Sequence, residues 1–246
     1  MLKLQPKTLF VGQNQVFLPN CHSTNDVAAE LAEQGGQYDG TVVYTDFQTA
    51  GRGQRGTSWN SSSGVNLMMS IVIDASFLPL HRQFDLSITA ALAARSELGA
   101  PNARIKWPND LYIGEKKVGG ILIENHLSGN KLQYAILGIG INVQQTEGLP
   151  ERATSLLLEG ISVDRDTVLM RVCEQFEHYL LRLKQGENLR DLYFQHLLGY
   201  RETRTFEAQG LRFQGSIRGI SPEGLLLVES EHSKKKFDIK EITFCF

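Results

Sequence analysis

The 246-residue sequence predicts an α/β (α+β) protein with a mixed central sheet flanked by helices, followed by a small all-β module. Three observations support this. β-Branched runs alternate with segments of helical periodicity as far as residue 198. Beyond Tyr200 only short strands and turns follow. Apolar residues make up 41% and charged residues 21%, which is typical of a folded globular protein. We therefore predict one domain over residues 1–198 and a second over 199–246.

The first half of the larger domain contains two predicted helices and two predicted strands. After an apolar stretch at 8–18, residues 23–36 begin with an N-capping serine and end in two glycines, which indicates a helix. Residues 41–45 and 66–74 are rich in β-branched and apolar side chains and predict strands. Apolar residues recur at helical spacing over 80–98, which predicts the second helix.

The second half begins with three β-rich segments, at 104–113, 116–127 and 132–143, separated by turn residues. We expect them to be neighbouring strands of one sheet. Helical periodicity returns over 167–184, and a shorter helix is predicted over 189–198. The predicted strands of the small module cover residues 203–209, 211–220, 224–230 and 234–244.

Composition excludes several classes of protein. A net charge of −2 gives no overall attraction to nucleic acid, and no apolar run is long enough to cross a bilayer. Three widely spaced cysteines predict buried, reduced thiols and no zinc site, and the N-terminus lacks signal-peptide features, so we expect a cytoplasmic location. Lys234–Lys236 is interpreted as a solvated strand edge.

A glycine-rich loop, Gly51–Gly56, matches the G-x-G-x-x-G pattern of nucleotide-binding proteins. A dinucleotide site needs a helix directly after the glycines, whereas a polar, turn-rich stretch follows here. The kinase and P-loop patterns fail as well, because their other motifs are absent. There remain two interpretations, an anion-binding loop that uses Arg52 and Arg55 or a hairpin loop with solvated arginines.

This loop belongs to one of five motifs that follow one another in a fixed order. They are Ser23–Asn25, the extended loop Gln48–Trp59, Lys106–Asp110 (KWPND), Lys117–Glu124 and Gly138–Asn142. Together they resemble the biotin protein ligases, also called biotin–acetyl-CoA-carboxylase ligases. The resemblance covers almost the whole chain and implies a catalytic domain like that of class II aminoacyl-tRNA synthetases, with a C-terminal SH3-like barrel. One departure is Gln54, where many members of that family have arginine.

The resemblance also implies a reaction and its residues. Biotin would be activated with ATP and Mg2+ to biotinyl-adenylate and then transferred to a lysine of a biotin carboxyl carrier domain. No nucleophilic side chain is needed, because the substrate carboxylate attacks ATP. The implied biotin-binding residues are Ser23, Thr24, Asn25, Gln48, Gly51, Arg52, Gly53, Gln54, Trp59, Lys117, Gly119 and Gly120. The implied ATP-binding residues are Arg52, Arg55, Asn109, Lys117 and Asn142, and the implied catalytic residues are Lys117, Arg52, Arg55, Lys106 and Asp110.

Other interpretations stay open at this point. Without the motifs, Trp59 and Trp107 would be assigned to the core, and Asn142 is consistent with a turn at a strand end. Rival functions are a lipoate ligase or octanoyl transferase, a biotin-sensing repressor, and a nucleic-acid-binding module. About 20 residues precede Ser23, too few for a DNA-binding three-helix module, so we expect the form without DNA binding. We expect no membrane partner and either a monomer or a homodimer.

Overall fold

The computed structural model describes residues 5–231 and 233–246, with Arg55 described by its backbone alone. The four α-helices span Thr24–Glu33 (α1), Phe84–Ser96 (α2), Arg165–Lys184 (α3) and Arg190–His196 (α4). The strands span Gln15–Cys21 (β1), Val42–Gln48 (β2), Leu67–Asp74 (β3), Ala103–Lys106 (β4), Asp110–Ile113 (β5), Lys116–Ser128 (β6), Lys131–Ile141 (β7), Thr203–Ala208 (β8), Leu211–Ile220 (β9), Leu226–Ser230 (β10), Ser233–Phe237 (β11) and Thr243–Cys245 (β12).

Seven strands form the large sheet, in the order β1-β2-β3-β7-β6-β5-β4. β1 pairs with β2 in parallel and the other neighbours are antiparallel, so the predicted mixed sheet is confirmed. Successive side chains of a strand point to opposite faces of the sheet. On β3, Leu67, Met69 and Ile71 face the main hydrophobic core beneath α2 and α3, whereas Ser70 and Val72 face the opposite side.

That opposite face is only partly covered. Helix α1 packs over β2, β3 and β7, where Val72 joins Ala28 and Ala32 in a small apolar cluster. Near β4 and β5, the face is covered instead by the end of the chain, because the ring of Phe246 stacks on Tyr112 with centroids 5.7 Å apart. A gap therefore remains over β6 and the C-terminal half of β7, between helix α1 and the chain terminus.

The five-stranded second sheet has the order β11-β10-β9-β8-β12. It is fixed to the large sheet by the indole of Trp107, whose Nε1 donates to the carbonyl of Gly224 at 2.9 Å. Arg190 on α4 adds bonds to the carbonyls of Ile220 and Ser221. No pairing joins β11 to β12 among the described residues, so the SH3-like barrel and the domain boundary at residue 198 stay predictions.

Several details refine the predicted elements. The segment 104–113 is divided into β4 and β5 by a turn that contains a cis peptide bond between Trp107 and Pro108. The second helix begins only at Phe84, because residues 80–82 form a 3-10 turn. Lys234–Lys236 is exposed on the edge strand β11, as predicted. No helix of the described residues is long and apolar enough to cross a membrane.

All three cysteines are free, as predicted, but the prediction that they are buried is correct only for Cys173. Cys173 lies on the core face of α3 with no exposed surface, and burial raises the pKa of its thiol to about 12. Cys21 and Cys245 end the strands β1 and β12, where burial is incomplete. A strand end gives a small side chain less cover than the middle of a helix that is packed against a sheet.

Candidate active site

The gap over β6 and β7 is a cavity of about 250 Å3. Gly120, Gly138 and Gly140 line its floor, so no side chain rises from the sheet at these three positions. The glycine-rich loop roofs it, α1 closes one side, and Ile239 of the small module reaches it from the other. Among the described residues the lining is Ser23, Thr24, Asn25, Gln48, Arg52, Gly53, Gln54, Thr57, Ser58, Trp59, Met68, Met69, Pro108, Asn109, Asp110, Lys117, Gly120, Ile121, Leu122, Gly138, Ile139, Gly140 and Ile239.

One end of the cavity is polar and uncharged, at the start of α1. The side-chain oxygen of Gln48 accepts a hydrogen bond from the Thr24 amide at 2.8 Å, and the Thr24 hydroxyl lies 2.7 Å from Ser70 Oγ. Ser23 occupies the N-cap position, yet its hydroxyl makes no capping bond, which leaves it available to a ligand. These side chains offer both donors and acceptors to a compact polar group.

Asn25 lies at the same end but is engaged by the protein at both ends of its amide. Its Nδ2 donates to Glu124 Oε2 at 2.7 Å, and its Oδ1 accepts from Ser70 Oγ at 2.6 Å. The side chain is 3% exposed and rests directly on Gly138. Asn25 therefore positions its neighbours and has little hydrogen-bonding capacity left for a ligand.

The roof of the cavity is a small hairpin. Trp59 donates its amide to the Gly51 carbonyl at 2.9 Å and Gly53 donates to Thr57 at 2.7 Å, with a 3-10 turn over 54–56 at the tip. No α-helix follows the glycines, so the rejection of a dinucleotide fingerprint is confirmed. Gln54 lines the cavity from the tip. Arg55 lies in the same turn, but its side chain is outside the described residues.

Arg52 does not point its charge into an anion site in this structure. Its Nη1 lies 2.5 Å from Asp26 Oδ1, and its Nη2 lies 3.1 Å from Glu124 Oε1. The hydrogen bond to Asp26, with smaller contributions from Glu124, raises the pKa of Arg52 above its usual range. The guanidinium is thus already paired with two carboxylates.

Trp59 anchors the other end of the hairpin. Its ring lies against the backbone of Gly140 so closely that a Cβ there would be 2.7 Å from the indole. Its Nε1 is buried and has no hydrogen-bond partner among the described residues. Lys117 Nζ lies 5.9 Å from the ring centroid. Trp59 is half-buried and lines the cavity, whereas Trp107 is a core residue at 2% exposure.

The opposite end of the cavity is charged. Asp110 Oδ1 is 2.6 Å from Lys117 Nζ, and Asp110 Oδ2 is 3.8 Å from Lys106 Nζ. Lys106 is packed under the Phe244 ring, 4.9 Å from its centroid, and burial lowers its pKa. Two ammonium groups share one carboxylate, so this end has an excess positive charge that favours an anion.

A short segment behind the charged end fixes the backbone of Lys117. The Lys117 amide donates to Arg152 O at 2.9 Å, and the Thr154 amide donates to Lys117 O at 2.8 Å. The carbonyl of Thr154 also accepts from Asn142 Nδ2 at 2.9 Å. Asn142 is 5% exposed and does not line the cavity. This segment ties the end of β7 to the lysine.

Most of the residues that the sequence singled out are brought together here. Four of them do not line the cavity, namely Gly51, Lys106, Gly119 and Asn142, and the side chain of Arg55 is outside the described residues. Gly119 faces the core side, where a Cβ would be 2.7 Å from Gly140 O. Asn109 lines the cavity, but its Nδ2 donates to Ile121 O at 2.5 Å.

Sequence reasoning gave no role to several residues that line or support the site, including Ser70, Glu124, Asp26 and Ile239. Ser70 is the one polar residue in the apolar run 67–73, which was an available signal. Glu124 ended a recognised motif without being given a role. Asp26 and Ile239 carry no signal in the sequence, because their proximity depends on how α1 and the small module pack.

Comparisons with known proteins give a consistent result. The sequence profile described as "Biotin/lipoate A/B protein ligase family" matches residues 17–142. The bifunctional ligase/repressor BirA of Bacillus subtilis is 34% identical over 241 residues, covering 94% of this chain and 74% of that protein. The biotin–acetyl-CoA-carboxylase ligase of Mycobacterium tuberculosis is 31% identical over 172 residues, covering 67% and 63% of the two chains.

Among solved structures, the biotin protein ligase of Aquifex aeolicus in complex with biotin and ATP superposes with a TM-score of 0.75. It is 30% identical to this chain, and the match covers 95% of this chain and 99% of that one. The match extends well beyond residue 142 and therefore includes most of the second sheet.

Proposed function

Because the chain belongs to the biotin/lipoate A/B protein ligase family, we propose that it is an ATP-dependent biotin protein ligase. It activates biotin to biotinyl-5′-AMP and transfers the biotinyl group to a lysine of a biotin carboxyl carrier domain, such as that of acetyl-CoA carboxylase. The observation that carries this proposal is the polarity of the cavity, which is uncharged and hydrogen-bonding at one end and cationic at the other. Biotin has a ureido ring at one end and a carboxylate at the other.

In this arrangement the ureido ring lies at the start of α1. Ser23, Thr24 and Gln48 supply its hydrogen bonds, and the buried setting favours a fully paired polar group. The apolar ring and chain of biotin lie beside the Trp59 indole, whose buried Nε1 has no hydrogen-bond partner among the described residues. The carboxylate then lies beside Lys117.

The cationic end supports the first chemical step. A carboxylate oxygen of biotin attacks the α-phosphorus of ATP, a new P–O bond forms, and pyrophosphate leaves with the electrons of the bond that breaks. Two anions must approach each other, so Lys117 and Lys106 stabilise the charge while Asp110 orients both ammonium groups. In the second step a carrier lysine amine attacks the acyl carbon, AMP leaves and the nitrogen loses a proton.

ATP occupies space beyond the enclosed cavity. A volume of about 250 Å3 is below the roughly 300–1,000 Å3 of typical sites for drug-sized ligands, so it suits one small acid. Asn142, Asn109 and the glycine-rich loop border the region where the nucleotide extends.

Mg2+ belongs to this proposal as a partner of the nucleotide. Among the described residues no group of three or more histidine, cysteine or acidic side chains could hold a metal ion. That fits a cation which keeps its waters and binds through phosphates and at most one or two carboxylates. Asp110 is the one carboxylate in the lining formed by the described residues, and the ion would supply charge neutralisation on the phosphates.

The proposal extends to location and partners. We place the enzyme in the cytosol, and the three free cysteines support that setting. The nearest rival is a lipoate ligase or octanoyl transferase of the same family. The printed names of the Mycobacterium tuberculosis relative and of the Aquifex aeolicus structure favour biotin, and so does the Trp59 ring over the cavity floor.

The test is pyrophosphate release from ATP in the presence of biotin, lipoate or octanoate, one acid at a time. Release with biotin alone supports the proposal. Equal turnover with lipoate or octanoate contradicts it. A second assay adds a purified biotin carboxyl carrier domain and detects covalent biotin on it. A carrier domain with its acceptor lysine changed to arginine is the control.

A further inference from the structure

We propose that Glu124 is a positioning residue that holds the roof hairpin, residues 51–59, over the cavity by clamping Arg52. The motif that ends at Glu124 gave this residue no role. The inference rests on the proposed function, because it concerns retention of the adenylate beneath that hairpin. It also assigns Arg52 a different task from the phosphate contact that the resemblance implied.

The first observation is the geometry of the clamp. The Nη2 of Arg52 lies 3.1 and 3.2 Å from the two oxygens of Glu124, and its Nη1 reaches Asp26 on α1. Glu124 is on β6 and therefore belongs to the rigid floor of the cavity. Arg52 thus ties the roof to both the sheet and the helix.

The second observation is that Glu124 is itself held from below. Its Oε2 accepts from Asn25 Nδ2 at 2.7 Å, and the other end of that amide is fixed by Ser70. Carboxylates only accept, so the orientation of the Asn25 amide follows from this bond. The carboxylate therefore has a fixed position and can define where Arg52 lies.

The third observation is the construction of the hairpin. Arg52 pairs with Ser58 across it, so restraining Arg52 restrains both arms. The opposite anchor is the Trp59 ring on Gly140. Glycine-rich segments lose much conformational entropy on ordering, and two anchors reduce the freedom that remains to be lost when ligand binds.

The consequence for the reaction is a longer residence of biotinyl-adenylate. Release requires the hairpin to open, and opening breaks the contacts of Arg52 with Glu124 and Asp26. Half-exposed ion pairs of this kind contribute modestly, so loss of the Glu124 charge corresponds to about two- to fivefold faster release. The rate of the chemical step changes less, because Glu124 touches no reacting atom in this assignment.

The experiment measures the dissociation rate of preformed biotinyl-adenylate from the unaltered chain and from Glu124→Gln, Arg52→Gln and the double variant. Glutamine keeps an acceptor for Asn25 but removes the charge that attracts Arg52. Glu229→Gln is the matched control, because Glu229 pairs with Arg218 and Lys234 on the small module, away from the cavity. Melting temperatures confirm that each variant is folded.

The expected result is faster release from Glu124→Gln, no change in Glu229→Gln, and a double variant equal to Arg52→Gln alone. Equality shows that Glu124 acts through Arg52. Effects that multiply in the double variant would overturn the inference, and so would an unchanged release rate in Glu124→Gln. If the unaltered chain forms no adenylate from biotin and ATP, the proposed function itself fails, which is a different outcome.

Discussion

Replacement of Gly138 by alanine tests whether the floor of the cavity must lack side chains for the enzyme to fold well. A Cβ at Gly138 would clash with Asn25 Oδ1 and would lie 3.1 Å from Asn25 Cγ. Gly138 does not have a positive φ, so its backbone accepts alanine and the effect is purely steric. Either Asn25 or strand β7 must move.

Neither can move at low cost. β7 is hydrogen-bonded on both sides, to β3 and to β6, throughout this region. Asn25 is bonded to Glu124 and Ser70, so displacing it breaks a charge-assisted and a neutral hydrogen bond. Overpacking costs about 1 to 3 kcal/mol, and alanine recovers about 0.4 to 1 kcal/mol through the unfolded state. The difference spans about 0 to 2.6 kcal/mol. Because two hydrogen bonds of Asn25 must also break, we expect a net loss of about 1 to 2 kcal/mol.

Gly120→Ala is the matched control, because it adds the same methyl group to the same floor. A Cβ at Gly120 would meet nothing nearer than 3.5 Å, the distance to Lys117 Cε and Nζ. The assay is thermal unfolding without ligand, where the net loss corresponds to a melting temperature lower by roughly 2 to 8 °C. Gly120→Ala should melt at or above the wild-type temperature. Equal melting of both variants and the wild type would show that Asn25 yields freely, and would refute the reasoning.

Three further predictions concern single side chains. Lys117→Ala should slow biotin-dependent pyrophosphate release about 100- to 1,000-fold with little change in melting temperature, because the Nζ of Lys117 contributes charge beside Asp110. Lys116→Ala, at the exposed neighbouring position, is the control and should retain the wild-type rate. Gln54→Arg should slow dissociation of biotinyl-adenylate about tenfold, since a charged hydrogen bond to phosphate contributes roughly 1.5 to 3 kcal/mol; an equal or faster rate contradicts this. Cys173 should resist alkylation in the folded enzyme up to strongly alkaline pH, because burial raises the pKa of its thiol to about 12 and the thiol stays protonated below that value. Mass spectrometry that finds Cys173 modified as fast as Cys21 would contradict this prediction.

Periodicity and turn chemistry predicted most of the elements because those signals are local. The strand predicted at 66–74 corresponds to β3, and the helix predicted at 167–184 corresponds to α3. β1 was not predicted as a strand: it begins inside the apolar stretch 8–18, and its pairing is parallel with β2. Parallel pairing joins segments that are distant in the chain, so no local pattern specifies it.

The sequence predicted which segments form the site better than it predicted which side chains contact each other. Five ordered motifs indicated which segments meet, and the cavity contains residues from each of them. The partner of each side chain could not be read from the sequence in the same way. Arg52 and Glu124 are 72 positions apart, and Asn25 and Glu124 are 99 apart. Such pairs depend on how α1 and the hairpin pack on the sheet, which motif order does not specify.

The KWPND segment shows why its tryptophan was consistent with two interpretations. Lys106 ends β4 and Trp107 begins the turn that follows, and the two side chains lie on different surfaces. Lys106 turns toward Asp110 and the charged end of the site, whereas Trp107 enters the core and donates to Gly224 of the small module. Phe244 of the small module in turn covers Lys106. One short segment thus fixes the second sheet in place and depends on that sheet for the buried setting that lowers the pKa of its lysine.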